Sequence, residues 1–275
     1  MAGPDFLTIS DDLTHVAQDA YAHFENGGYD VQIEPSDIGF PTTPAFVATR
    51  GHERVIVEAI ADFEKTRIKR WVDFCKSQTT DSRLCVVAYR PDGLEPQLIE
   101  FAGTHNVGLM VHNDANLVTM RPPVDLAVHA ALPDLGDLKR SVRPILAPAF
   151  QKFAEGDWRD GLFAAYGEVE EAARSYLEDE IATGRIVLHQ RVRRQRVQVT
   201  TADVQRMTLG KLAEMFGRIP NATHKEARIH QTLSLINDTR VGLAHRRRRA
   251  EVEVQVRTNA GQHIHAVTNC LEELL

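Results

Sequence analysis

The sequence predicts two units, an α/β unit over residues 1–125 and an all-α helical bundle over 141–275, joined by a Pro-containing linker at 126–140. Three observations lead there. Apolar runs of strand length are concentrated before residue 122, whereas 3.6-residue periodicity dominates after 143. Pro122, Pro123, Pro133, Pro144 and Pro148 crowd the region between. Charge also changes sign: residues 1–140 hold 12 Lys+Arg against 21 Asp+Glu (−9), and residues 141–275 hold 20 against 17 (+3).

The elements follow in order. "LTHVAQDAYAHFENGGYDV" sets Leu13, Val16, Ala17, Ala20, Tyr21 and Phe24 at helical spacing, and Asn26-Gly27-Gly28 ends that helix. "YDVQI" alternates as a strand does. "PAFVATRGHERVIVEAI" reads as two strands turning at Arg50-Gly51-His52. "EKTRIKRWVDFCKSQ" is an amphipathic helix with Ile68, Trp71, Val72 and Cys75 inward. "RLCVVAYR" is apolar throughout, as a strand covered on both faces is. "HNVGLMVHNDANLVTM" supplies two more strands. Beyond the prolines, "PAFQKFAEGDWRDGLFAAYGEVEEAARSYLEDEIATG" gives two helices broken at Glu155-Gly156-Asp157, with Asp157 as a candidate N-cap and Gly184 as the stop. "TLGKLAEMFGRI" is a shorter helix. "KEARIHQTLSLINDTRVGLAH" is a longer one with Ile229, Leu233, Ile236 and Leu243 as its apolar stripe. "VEVQVRT" alternates as a strand, and the chain then turns helical towards Leu275.

Composition narrows the function classes. Hydrophobic residues make up 43% and charged residues 25%, as in a soluble globular protein. No apolar run approaches a membrane span. The acidic start "MAGPDFLTISDD" is unlike a signal peptide. Cys75, Cys85 and Cys270 form neither a metal cluster nor a disulfide framework, so the expected setting is the reducing cytoplasm. There is no phosphate-binding Gly-rich loop, and neither a cofactor nor a metal is expected. His263 and His265 alternate, but no Cys or carboxylate cluster completes a zinc site around them. Two Arg runs stand out, "RVRRQR" at 191–196 and "HRRRR" at 245–249. Each is either solvated surface or a place where phosphates displace counterions.

The element order of residues 10–122, carried by "YAHFENGGYDV", "TPAFVATRGHERVIVEAI" and "RLCVVAYR", resembles the restriction-endonuclease-like, or PD-(D/E)xK, family. That resemblance implies an Asp on the first hairpin strand, and an acidic residue and a Lys two apart on the next, with the carboxylates holding Mg²⁺. Here Ala45 stands where the Asp is expected, Glu58 is retained, and Ile60 replaces the Lys. Asp37 and Asp62 are the nearest alternative carboxylates. The implied unit is a catalytically degenerate nuclease relative that serves as sensor or regulator. A Mg²⁺-dependent DNase through Glu58 is a separate reading.

"RVGLAH" sets Arg240 and His245 five positions apart near the end of the long late helix, with Asn237 and Asp238 just before. Together with the Ala-rich "GDWRDGLFAAYGEVEEAARSYLEDEI" and "TLGKLAEMF", this resembles the HEPN family and its R-x(4–6)-H motif over residues 140–275. Val241 departs from the polar residue that often follows the Arg there. The resemblance implies metal-independent RNA cleavage in stress, toxin or antiviral defence settings, by a homodimer with a composite site and a possible regulatory protein partner. The residue types suit that chemistry. Histidine titrates near neutrality and moves protons, and arginine holds a phosphate with a planar, permanently charged fork. Asn237 or Asp238 orients the imidazole or meets ribose, and Arg246, Arg247, Arg248 and Arg249 extend a nucleic-acid-binding surface. On a straight helix five residues rise about 7.5 Å and turn about 140°, so Arg240 and His245 diverge. Either the helix loosens at Gly242, or two copies share one cleft. The alternative reading is a non-catalytic nucleic-acid-binding or adaptor protein.

Overall fold

The computed structural model of the chain describes residues 6–35, 37, 39–89, 95–113, 116–193, 195–244 and 249–275, without the side chains of residues 12, 192, 249 and 250. The chain forms two compact units. One takes the residues up to Ala130 together with Phe153–Asp157. The other takes Ala131–Lys152 and Trp158–Leu275.

The first unit begins with helix α1 (Asp11–Asn26) and strands β1 (Asp30–Ile33), β2 (Phe46–Arg50) and β3 (Glu53–Ile60). Helix α2 (Lys65–Ser77), strand β4 (Asp81–Tyr89), helix α3 (Pro96–His105) and strands β5 (Gly108–His112) and β6 (Leu117–Arg121) follow. The six strands make one sheet in the order β1-β2-β3-β4-β5-β6. β3, β4 and β5 pair in parallel and the remaining neighbours antiparallel. Parallel neighbours need crossovers, and α2 and α3 supply them. Gly51 makes the β2–β3 turn at φ +63, where a glycine has no steric cost.

Period-two alternation splits the central strands between two cores. Val47, Ile56, Leu84, Val86 and Leu109 pack with Ile68, Trp71, Val72 and Cys75 of α2. Phe46, Val55, Val57, Cys85, Val87 and Met110 pack with Leu13, Val16, Ala20 and Phe24 of α1. β4 is buried on both faces, which is why Leu84, Cys85, Val86, Val87 and Ala88 follow one another without a polar residue. Helix α3 has no counterpart in the strand-rich sequence reading. It opens on Pro96, whose fixed φ suits a first helical turn, and closes on Asn106 in the left-handed region.

Residues 126–140, expected as a linker, hold helix α4 (Leu126–Ala131) and a 3-10 turn at Leu135–Asp137. The second unit continues through α5 (Arg143–Ala154), α6 (Trp158–Ala182), β7 (His189–Val192), β8 (Gln195–Gln198), α7 (Thr201–Gln205), α8 (Leu209–Phe216), α9 (His224–Ala244), α10 (Arg249–Thr258) and α11 (Ala260–Leu274).

The expected fold class, an α/β domain followed by an all-α bundle, is therefore corrected. The chain is mixed α/β, with a six-stranded mixed sheet followed by helices. Its helical half also contains the antiparallel β7–β8 ribbon. The Arg-rich run 191–196 had been read for its charge, yet its flanks alternate, and the Val199 amide closes the ribbon on the Leu188 carbonyl at 2.9 Å. The reverse error falls on 252–258, where alternation suggested a strand and the chain forms α10. Val252 and Val256 are four apart and so satisfy either period. Val256 is buried and Val254 is 50% exposed, as a helix requires.

Two glycines test this packing. A Cβ at Gly242 of α9 would meet Cγ1 of Val252 at 2.9 Å, whereas one at Gly167 of α6 meets nothing within 4 Å. Gly167→Ala is expected to raise unfolding stability by about 0.5–1 kcal/mol through helix propensity. Gly242→Ala is expected to lose that gain to overpacking of about 1–3 kcal/mol, recovered when Val252→Ala is added. Urea unfolding of the three variants beside wild type measures this.

Candidate functional site

In the first unit Ala45 is buried beside β2, and Glu58 and Ile60 are buried in β3. The Glu58 carboxylate is 1% exposed and accepts hydrogen bonds from the Trp71 indole N–H, from Arg67 at 2.7 Å and from Thr42 at 3.3 Å. Burial raises its pKa, and the Arg67 charge and these donors oppose the rise. Glu58 borders a cavity of about 410 Å³ that Thr8, Ser10, Thr43 and Arg67 also line. Its oxygens are occupied by protein donors. Among the described residues no group of three or more His, Cys, Asp or Glu is arranged to hold a metal. Asp62 borders a separate, smaller cavity, and Asp37 accepts a weak bond from the Gly39 amide. The arrangement is that of a buried carboxylate paired with a part-exposed arginine, tying β3 to α2.

In the second unit the predicted residues separate. Arg240, one turn before the end of α9, gives its guanidinium to Glu170 of α6 at 2.8 Å. Glu170 also binds Arg174 at 2.9 Å, and Arg174 in turn donates to the carbonyls of Val204 and Met207. Arg240 keeps 34% of its side chain exposed. Asn237, one turn earlier on the same face, lies over Gly210 of α8, where an added Cβ would sit 3.0 Å from its Oδ1. Asp238 faces elsewhere. It lines a cavity of about 310 Å³ with Thr239, Gln255, Asn259, Gln262 and His263 of α9, α10 and α11. Asn237 and Arg240 thus lie on one side of α9 and Asp238 on another, while the divergence expected between Arg240 and His245 falls outside the described residues. α9 stays helical through Gly242 to Ala244, so no loosening redirects it. His245, Arg246, Arg247 and Arg248 lie outside the described residues. Arg249 opens α10, and its side chain is likewise outside them.

A buried polar pair went unread in the sequence. The Tyr166 hydroxyl lies 2.6 Å from Nδ1 of His263, and both side chains are buried. Thr239 is within hydrogen-bond reach of the same hydroxyl, and the Arg240 charge is felt there. The Thr239 hydroxyl also donates to the Leu235 carbonyl at 2.8 Å. Burial raises the Tyr166 pKa and lowers that of His263, so both are neutral at pH 7. Tyr166 and His263 are 97 positions apart, and no local pattern links them. His265, two residues on, is exposed, because α11 is a helix and the pair cannot share a face. Trp158 is buried, in the core rather than at a surface for stacking.

No protein-family model, no curated protein and no solved structure matches the chain.

Two predictions follow from these environments. Glu58→Ala is expected to cost about 2–4 kcal/mol, because it strands the Trp71 N–H and the Arg67 charge. Glu58→Gln is expected to cost less, and neither should alter any nuclease activity; thermal melts and a cleavage assay check this. As pH falls, the unfolded chain protonates at position 263 near pH 6.5, before the folded protein does. Stability is therefore full above that pH and is lost below it. Melts between pH 7.5 and 5.5 are expected to show this fall, with a shallower slope in His263→Gln.

Proposed function

We propose that the chain is a metal-independent endoribonuclease of the HEPN type, acting through Arg240 and His245 in a stress, toxin or antiviral defence setting, with the sheet-bearing unit as sensor or regulator. The observation that carries the reading is the placement of Arg240. Its guanidinium is part exposed, held in one orientation by a carboxylate that a second Arg shares, and five positions before His245. Arg174 is shared between Glu170 and Glu171, so the cluster as a whole is balanced, and it is the exposed part of the Arg240 side chain that is open to a phosphate. Each strand is cut by its own 2′-oxygen, which attacks phosphorus as the bond to the 5′-oxygen breaks. Imidazole takes the 2′-hydroxyl proton and returns a proton to the leaving 5′-oxygen, while Arg240 balances charge on the phosphoryl oxygens. The products are a 2′,3′-cyclic phosphate and a 5′-hydroxyl. Because Arg240 and Asp238 occupy different sides of α9, a homodimer that brings two motifs into one cleft suits the geometry better than one copy.

A second reading rests on the same ion pair. With its guanidinium on Glu170, Arg240 also fits a non-catalytic nucleic-acid-binding or adaptor protein. Cleavage of RNA in EDTA separates the two. Wild type is expected to cut, leaving cyclic phosphate ends, and His245→Ala to be about 10²–10⁴-fold slower with an unchanged oligomer. RNA left intact by a dimeric wild type supports the adaptor, and cutting that requires Mg²⁺ supports the Glu58 reading.

A further inference from the structure

The β7–β8 ribbon is built from a sequence that has no acid in it. From Arg185 to Val199 the chain holds five Arg and no Asp or Glu. Register places Arg191 directly opposite Arg196, so the two guanidinium groups leave the same face of the ribbon. Side chains so paired start about 4.5–5.5 Å apart, and like charges there are destabilising. Among the described residues neither Arg makes an ion pair, and all four residues of β8 are exposed.

The turn repeats this choice. A two-residue hairpin connection favours Asn-Gly, whose backbones accept positive φ. Here the connection is Arg193-Arg194, and Arg193 takes φ +47. A charged residue occupies a position where backbone preference asks for another, and exposed residues that break a local rule in this way point to function.

The ribbon does not rely on its own pairing to stay formed. Ile186, Leu188 and Val199 at its base are buried. Thr200 and Asp203 cap α7 just beyond it through a reciprocal pair of hydrogen bonds. The arm is thus anchored at its root and positively charged at its tip and on one face.

We propose that the β7–β8 ribbon is a docking arm for the phosphodiester backbone of nucleic acid, with a phosphate seated between Arg191 and Arg196 and another met by Arg193. A phosphate between the two facing guanidinium groups turns their repulsion into two charge-assisted contacts. Counterions released from the strand supply the binding free energy, so the arm is indifferent to sequence and sensitive to salt. This function stands whether or not the chain cleaves RNA.

The test is binding by the full chain to a fluorescent 20-residue single strand, as 2′-O-methyl RNA, which has no free 2′-hydroxyl to attack, and as DNA of the same sequence. Dissociation constants are measured from 50 to 200 mM salt for wild type and for Arg191→Gln/Arg193→Asn/Arg196→Gln. The triple variant is expected to bind at least about tenfold more weakly at 50 mM salt, with a log–log salt slope shallower by about 1.4, as losing two phosphate contacts demands. Its melting temperature should stay level or rise, because a like-charge pair and a strained turn are removed. Equal losses on RNA and DNA fit a backbone contact, and a loss on RNA alone assigns the arm to the ribose-bearing strand. A triple variant that folds and binds both strands with wild-type affinity and slope overturns the proposal. Should the triple variant misfold, Arg191→Gln/Arg196→Gln alone, which spares the turn, is expected to weaken binding in the same direction with a slope change of about 0.7. Loss of binding here together with no cleavage by wild type in EDTA would remove the nuclease reading and leave the arm.

Discussion

One carboxylate organises the helical unit around the candidate site. Glu170 of α6 takes Arg174 on one oxygen and Arg240 on the other. Arg174 is at the same time fastened to the carbonyls that end α7 and lead into α8. The C-terminal end of α9 is therefore positioned against α6 by a shared charge and against α10 by the close approach of Gly242 to Val252. Neither contact is large by itself. Ion pairs with part-exposed partners contribute about 0–1 kcal/mol, and the glycine only makes room. What they fix is direction. Asn237 and Arg240 are turned towards α8 and α6, and Asp238 towards the cavity that His263 borders.

That direction constrains the chemistry. Arg240 and Asp238 leave different sides of α9, so the two do not converge on one point within a single copy. Arg240 keeps 34% of its side chain exposed beside its carboxylate partner. The Tyr166–His263 pair behind Thr239 contributes a different element, a neutral hydrogen-bonded core contact that joins α6 to α11. Glu58 plays a comparable part in the other unit. Trp71, Arg67 and Thr42 occupy its oxygens, and the first two tie β3 to α2.

Much of the sheet-bearing unit was readable because its periodicities are unambiguous. Residues 84–88 of β4 are an unbroken apolar run, α2 repeats its apolar residues at three and four, and Gly51 marks the hairpin. The helical unit was harder for two physical reasons. In 252–258 a four-residue spacing of valines is shared by helix and strand, and only Val254 distinguishes them. In 189–198 there is no buried face to alternate, since all four residues of β8 are exposed, and the apolar signal sits in Ile186, Leu188 and Val199 at the base of the ribbon. The site was legible in part. Helix geometry alone separates Arg240 from Asp238, and the fold keeps that separation. The partner of Arg240 was not legible, since Glu170 is 70 residues away, and pairing over that distance is set by packing and not by any local pattern. The same holds for Tyr166 with His263.

The most direct measurement is single-turnover cleavage of a short RNA in EDTA by Arg240→Lys and Arg240→Gln, with unfolding followed on the same samples. If Arg240 binds the reacting phosphate, both variants slow by about 10²-fold or more while stability shifts by no more than about 1 kcal/mol, because lysine keeps the charge but not the fork. Unaltered cleavage in both variants, or a loss of stability large enough to account for the lost activity, would contradict the account and leave Arg240 as a purely structural link to Glu170.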